Sequence, residues 1–79
     1  MSRKEFIDRV FSFFTHSAGL VVKFHGRDAN YLVSYERADF QELTAYLAGL
    51  WRSQQAVRVI VEPSLEIVSL TPIEEAASA

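Results

Sequence analysis

The residues with the most reactive side chains lie in one short run, His25-Gly26-Arg27-Asp28. An imidazole, a guanidinium and a carboxylate beside a flexible glycine are the groups that acid–base catalysis or anion binding would use. A turn between two strands rarely encloses a pocket by itself, so we interpret this run as a polar hairpin tip. We therefore expect no enzymatic activity. The candidate contacts for an anionic ligand are Lys23, His25, Arg27, Asp28 and Arg58.

Metal and cofactor chemistry has little support in the sequence. The chain contains no cysteine and has only two histidines, His16 and His25, without metal-ligand spacing such as H-x-x-x-H. Glycine-rich phosphate-binding motifs and the G-x-S-x-G nucleophile motif are also absent from the sequence. We predict no metal site, no catalytic residue and no cofactor.

Two helices are predicted to support this hairpin. The run Asp39–Arg52 places Phe40, Leu43, Leu47 and Leu50 on one stripe, and Asp39 with Glu42 resembles a capping box. Ser2 with Glu5 gives a second capping signature, which predicts a helix over about residues 3–15. The apolar residues of this first helix cover about 160° of a helical wheel, wider than the usual stripe.

Four strands complete the prediction. Residues 20–25 and 31–35 form a hairpin around the turn at 26–30, and β-branched residues favour strands at 57–62 and 65–70. Pro72 is expected to end the last strand. The resulting order, α-β-β-α-β-β, predicts an α+β fold with a four-stranded, mostly antiparallel sheet and two helices on one face. We expect a single domain over 1–72 and a flexible tail over 73–79.

Composition limits the partners. Ten acidic and eight basic residues leave a net charge of −2, so generic attraction to nucleic acid or an anionic membrane is not expected. Charges interrupt the N-terminal apolar residues, and no run approaches the ~20 apolar residues of a membrane span. We predict a soluble cytoplasmic protein.

The leading hypothesis is a small non-enzymatic interaction or regulatory module that forms a homodimer and binds another protein. Its basis is surplus apolar surface on the first predicted helix and the outer sheet face. The candidate partner contacts are Phe11, Phe14, Val21, Tyr46, Trp51, Ile60, Val68 and Leu70.

The alternative is an accessory protein that binds single-stranded nucleic acid through exposed aromatic and basic side chains. The candidate patch comprises Tyr31, Tyr35, Trp51, Arg27, Arg37, Arg52 and Arg58.

Overall fold

The computed structural model describes residues 2–73, and within this range the chain forms six strands and one helix. In chain order the elements are β1 (Lys4–Asp8), β2 (Val10–His16), β3 (Gly19–Phe24), β4 (Tyr31–Ser34), α1 (Phe40–Ser53), β5 (Val57–Val61) and β6 (Ile67–Pro72). The α+β class is confirmed, whereas the predicted element order and the second helix are wrong. The predicted tail lies, apart from Ile73, outside the described residues.

The strands form two antiparallel sheets, β1-β5-β6 and β2-β3-β4, instead of the predicted four-stranded sheet. Only Arg9 separates β1 from β2, so the chain passes directly from the first sheet into the second. On the opposite side, the Leu32 N–H donates to the Leu65 carbonyl at 3.0 Å, and Leu32 forms a parallel bridge with Glu66. Joined on two sides, the sheets enclose the core as a partly closed barrel.

The predicted first helix is wrong because its apolar residues follow the alternation of a strand. Phe6 and Val10 are buried, whereas Ile7 and Phe11 are 57% and 54% exposed. Side chains on a strand alternate between two faces, so apolar residues on both faces spread widely when drawn on a helical wheel. The abundance of Phe, Val and Ile in this segment also favours extended structure.

The second predicted helix is present as α1, but its predicted capping box is wrong. The Asp39 side chain makes no cap hydrogen bond. It accepts hydrogen bonds from the Arg37 guanidinium instead, with 2.8 Å from Nε and 3.2 Å from Nη2. The helix ends at Gln54, which has a left-handed backbone with φ 56°. Leu47 and Leu50 bury the helix against the core.

The last strand is displaced from its predicted position. β6 begins at Ile67 and continues to Pro72, which pairs with Val57 at the end of the ladder. Leu65, expected to start the strand, lies in the turn with φ 75°. Its carbonyl accepts the bond from Leu32 described above, so this turn forms part of the closure between the sheets.

The core lies between the sheets and beneath α1. Its buried side chains are apolar and come from every element: Phe6, Val10, Leu20, Val22, Phe24, Tyr31, Val33, Leu47, Leu50, Val57, Val59, Val61, Ile67 and Leu70. Gly19 begins β3 and pairs with Ser34 of β4. A side chain at position 19 would collide with the Val33 carbonyl oxygen, so this close approach of two backbones requires glycine.

Candidate functional site

The outer face of the second sheet carries a row of apolar side chains, one from each strand. Phe14 pairs with Val21, and Val21 pairs with Leu32. Their neighbours Leu20, Val22 and Val33 are buried, so strand alternation turns the row outward. Phe14 is 49% exposed, and Val21 and Leu32 are partly exposed. We call Phe14, Val21 and Leu32 the apolar row.

The rest of this outer face has little charge. Ser12 pairs with Lys23 on one side of the row, and Ser34 pairs with Gly19 on the other. The strand residues that share this face are Ser12, Phe14, His16, Val21, Lys23, Leu32 and Ser34, and they include no carboxylate. Lys23 therefore carries the one permanent charge of the face.

A groove of about 260 Å³ adjoins the row where β3 ends. We call it the basic groove; its lining residues are Phe11, Lys23, Phe24, His25, Arg27 and Asp28. Within residues 2–73 neither Lys23 nor Arg27 forms an ion pair. The Arg27 guanidinium carbon lies 4.0 Å from the centre of the Phe6 ring, which is a cation–π contact.

The strand β2 presents Phe11 to this groove through a local irregularity. The pairing with β3 shifts between Val10 and Ser12, which leaves Phe11 as an extra residue in a bulge. Its ring lies 5.1 Å from the His25 ring in an edge-to-face arrangement. The bulge therefore places an exposed aromatic ring beside the imidazole.

The side chain of Gln54, which follows the last residue of α1, contacts both the start of β2 and His25. Its Nε2 donates to the carbonyls of Val10 at 3.0 Å and Trp51 at 2.8 Å. Its Oε1 lies 2.9 Å from Nε2 of His25. Because Oε1 can only accept, His25 is assigned as the tautomer that carries its hydrogen on Nε2. Gln54 thus fixes the plane of the imidazole that lines the basic groove.

Two further contacts attach the groove to the rest of the molecule. Asp8 accepts hydrogen bonds from the Gly26 N–H, at 3.0 Å to Oδ2, and from the Arg9 N–H at 2.8 Å. Trp51 donates its indole N–H to the Phe11 carbonyl at 3.2 Å. Sequence reasoning missed the roles of Asp8 and Gln54, since both act between segments distant in sequence.

The structure brings together four of the five candidate ligand contacts. Lys23, His25, Arg27 and Asp28 line the basic groove. Arg58 lies on the other sheet, where its Nε is 3.1 Å from the Glu5 carboxylate. Its inclusion depends on the prediction of a single sheet, whereas in the structure Arg58 and the groove lie on different sheets.

The candidate partner contacts divide in the same way. Phe11, Phe14 and Val21 lie at the groove or in the apolar row, and Trp51 lies 5.8 Å from the Phe13 ring at the adjacent end of α1. The others lie elsewhere. Ile60 and Val68 are partly exposed on the first sheet, Leu70 is buried in the core, and Tyr46 belongs to α1 and is partly buried against the core. Burial raises the pKa of Tyr46, whose hydroxyl makes no hydrogen bond within the described residues.

Arg37 serves the fold and not the groove. It donates to two carbonyls of β6, at 2.7 Å to Ile67 and 3.1 Å to Val68, and it forms an ion pair with Asp39. The hydrogen bond from Arg37 lowers the pKa of Asp39, and the same bond raises the pKa of Arg37. This cation is therefore committed to the side of the barrel where β4 meets β6.

A search of residues 2–73 for metal-binding groups found no cluster of three or more His, Asp or Glu side chains that could hold an ion. In the same range, no helix has the length and apolar character needed to cross a membrane. Comparisons with protein-family models, curated proteins and solved structures found no match.

Proposed function

We propose that this protein is a small non-enzymatic interaction module that binds another protein through the apolar row. The observation that carries the proposal is the alignment of Phe14, Val21 and Leu32 across three strands on an outward face. Antiparallel sheets that face water are normally polar on that side. A contiguous exposed apolar patch instead marks a surface that a partner covers.

A second copy of the chain is the simplest partner. In a two-fold symmetric dimer the same patch meets itself, and a row of apolar side chains is complementary to its own copy. Chains of this size also bury a small share of their surface on folding, so association adds apolar burial that the monomer lacks. The predicted homodimer is therefore proposed to form through this row.

Sedimentation equilibrium at tens of micromolar tests the homodimer. We expect the wild-type protein to dimerise and Phe14→Glu to be monomeric, because the substitution places a desolvated charge in the contact. Ile7→Glu is the matched control, since Ile7 is equally exposed but lies on the first sheet. A monomeric wild-type protein, or equal effects of the two substitutions, would contradict dimerisation through the row.

Binding of single-stranded nucleic acid is the second candidate, and the strand order favours it. If β1 and β2 are counted as one bent strand, the barrel has five strands. Their order around the barrel is β1–β2, β3, β4, β6, β5 and back to β1–β2. The third and fifth of these strands, β4 and β6, meet in parallel at Leu32 and Glu66. The helix α1 lies in the chain between the third and fourth, β4 and β5. We infer an OB-type barrel, an architecture that binds oligonucleotides on the face that here carries the apolar row.

The residues first considered for this role do not form one patch. Tyr31 is buried, and Arg37 and Arg58 are engaged with carboxylates. The basic groove, with Lys23 and Arg27, would be the contact instead. Fluorescence anisotropy with a labelled oligothymidine checks this candidate: salt-sensitive binding that Arg27→Gln weakens would support it. Absence of binding at low salt would exclude it.

A further inference from the structure

We propose that the partner contributes an extended segment whose acidic side chain enters the basic groove while neighbouring apolar side chains cover the apolar row. This inference rests on the proposed function and specifies the chemistry of the partner. The basic groove and the apolar row together form one continuous recognition surface, with a charged end and an apolar end.

Continuity between the two parts comes from β3. Val21 belongs to the row, and Lys23, two residues further along the same face, lines the groove. Alternate residues of a strand lie ~7 Å apart on one face. A partner segment that lies along β3 in extended conformation has the same repeat. An acidic residue opposite Lys23 then places an apolar residue, two positions further, opposite Val21 and between Phe14 and Leu32 of the neighbouring strands.

The charges of the groove select an anion. Lys23 and Arg27 are cationic, His25 adds a hydrogen-bonding ring, and Asp28 is the one carboxylate in the lining. Since neither cation forms an ion pair within residues 2–73, a carboxylate from a partner would not have to displace one. Charge-assisted hydrogen bonds to Lys and Arg are stronger than neutral ones, so this end would orient the segment.

The same charges distinguish a foreign segment from a second copy. A second copy would cover the apolar row, but the outer face of its sheet offers no carboxylate to the groove. An acidic and apolar segment satisfies both parts and would compete with self-association. A nucleic acid strand would find two exposed rings for stacking, Phe11 and Phe14, but only two cations in the groove for its phosphates on a chain that is acidic overall.

The groove is held in shape before a ligand arrives. Gln54 fixes His25, the His25 ring contacts Phe11, and Arg27 lies over Phe6. A surface that is already ordered loses little side-chain entropy on binding. None of these contacts involves Lys23, so a charge substitution at Lys23 leaves them and the buried core unchanged.

The test uses a fluorescent peptide with the alternating pattern Asp-Ser-Val-Ser-Leu and a control peptide in which Lys replaces Asp. Fluorescence anisotropy with the full chain should show binding of the acidic peptide and at least about tenfold weaker binding of the control. Val21→Glu should abolish binding of both peptides. The charge-reversing variant Lys23→Glu should lose the acidic peptide and gain the control peptide, a reversal that a loss of folding cannot produce.

Sedimentation of the wild-type protein with excess acidic peptide gives a second readout, in which the peptide should dissociate the dimer. Equal binding of the two peptides, or of the acidic peptide to wild type and Lys23→Glu, would overturn the role of the groove. Binding of oligothymidine without binding of either peptide would overturn the proposal in favour of nucleic acid. If no peptide binds but Phe14→Glu still dissociates a dimer, this inference fails while the proposed function stands.

Discussion

The outer faces of the two sheets differ in how their charges and apolar residues are arranged. On the first sheet, Arg58 and Glu5 form an ion pair at 3.1 Å, and both side chains are about half exposed. Ile7 is exposed beside this pair, as a neighbour of Arg58 in the ladder. On the second sheet, the apolar side chains are aligned and the one cation of the face has no carboxylate beside it.

This difference assigns different roles to faces of similar composition. Single apolar residues among charges are ordinary on a protein surface and need no partner. The first face is therefore complete when it is solvated. The second face has its apolar residues in one line, and Lys23 forms no ion pair within residues 2–73. A ligand could therefore cover the apolar residues and supply a carboxylate to Lys23. The arrangement of residues, and not their number, identifies the second sheet as the candidate binding surface.

The largest expected effect tests how the second sheet is built. Gly19→Ala should lower the free energy of unfolding by about 3 kcal/mol, because the added methyl group overlaps the Val33 carbonyl and forces β3 and β4 apart. Gly49→Ala is the matched control, since Gly49 lies in α1 with nothing within 4 Å of the added carbon. It should raise the stability by about 0.5–1 kcal/mol through helix propensity.

Urea denaturation followed by circular dichroism measures both variants. A Gly19→Ala protein as stable as the wild type would mean that β3 and β4 do not approach as closely as described. If the sheet does shift, the apolar row should lose its alignment, and Gly19→Ala should also weaken self-association. Gly49→Ala should leave self-association unchanged, because Gly49 lies on the exposed side of the helix.

A smaller effect is expected where the end of α1 meets the second sheet. Gln54→Ala removes the side-chain bonds to Val10, Trp51 and His25 and should cost about 1–2 kcal/mol of stability. Gln54→Gly removes the same bonds but relieves the left-handed backbone, so it should be less destabilising than alanine by up to about 1 kcal/mol. Gln55→Ala, at the exposed neighbouring position, should be close to neutral.

Thermal unfolding of the three variants gives the comparison. Equal stability of Gln54→Ala and Gln55→Ala would contradict the role of Gln54 as the link between the end of α1, the start of β2 and the end of β3. Since Gln54 also orients His25, both Gln54 variants should weaken binding of an acidic peptide more than Gln55→Ala does.

Local patterns in the sequence were sufficient to predict some elements. Leu43, Leu47 and Leu50 recur with the helical period, and the run Gly26–Asn30 contains turn residues, so α1 and the hairpin of β3 and β4 could be located. The residues of the groove could be grouped because Lys23, His25, Arg27 and Asp28 are neighbours in the chain. Proximity in sequence carried over to proximity in space.

The remaining features depend on long-range pairing that no local pattern records. Val10 and Phe13 both face the core although they are three residues apart, because the bulge at Phe11 shifts the alternation of the strand. The grouping of Arg58 with the groove requires β5 and β3 to share one sheet, and they belong to different sheets. The Asp39 carboxylate had two chemically reasonable partners, the helix N-terminus and Arg37, and the fold selects Arg37 because its guanidinium also reaches β6.

A pH-dependent effect is expected from the ion pair between Arg37 and Asp39, on the side of the barrel where β4 meets β6. The hydrogen bond from Arg37 lowers the pKa of Asp39 in the folded state, so the ionised carboxylate stabilises the fold at neutral pH. This contribution is complete above the unfolded pKa of about 4 and is lost as the pH falls through the lower folded pKa. Asp39→Asn should therefore reduce the acid sensitivity of the urea midpoint.

Urea titrations between about pH 6 and pH 2 measure this effect, with Asp28→Asn as the control. Asp28 is exposed and forms no ion pair within residues 2–73. The wild type and Asp28→Asn should lose stability in parallel on acidification, and Asp39→Asn should lose less. Parallel curves for all three proteins would contradict a stabilising role for the Asp39 carboxylate.

The smallest expected effect on stability comes from removing one cation from each outer face, Arg58 on the first sheet and Lys23 on the second. Arg58→Gln removes an exposed ion pair and should cost no more than about 0.5 kcal/mol of stability, since such pairs contribute little. Lys23→Gln should leave stability unchanged, because within residues 2–73 Lys23 forms no ion pair. Binding should respond in the opposite order: Lys23→Gln should weaken the acidic peptide, and Arg58→Gln should have no effect on it. A Lys23→Gln protein that is less stable than Arg58→Gln would mean that Lys23 supports the fold. The outer face of the second sheet would then no longer differ from that of the first sheet as a surface kept for binding.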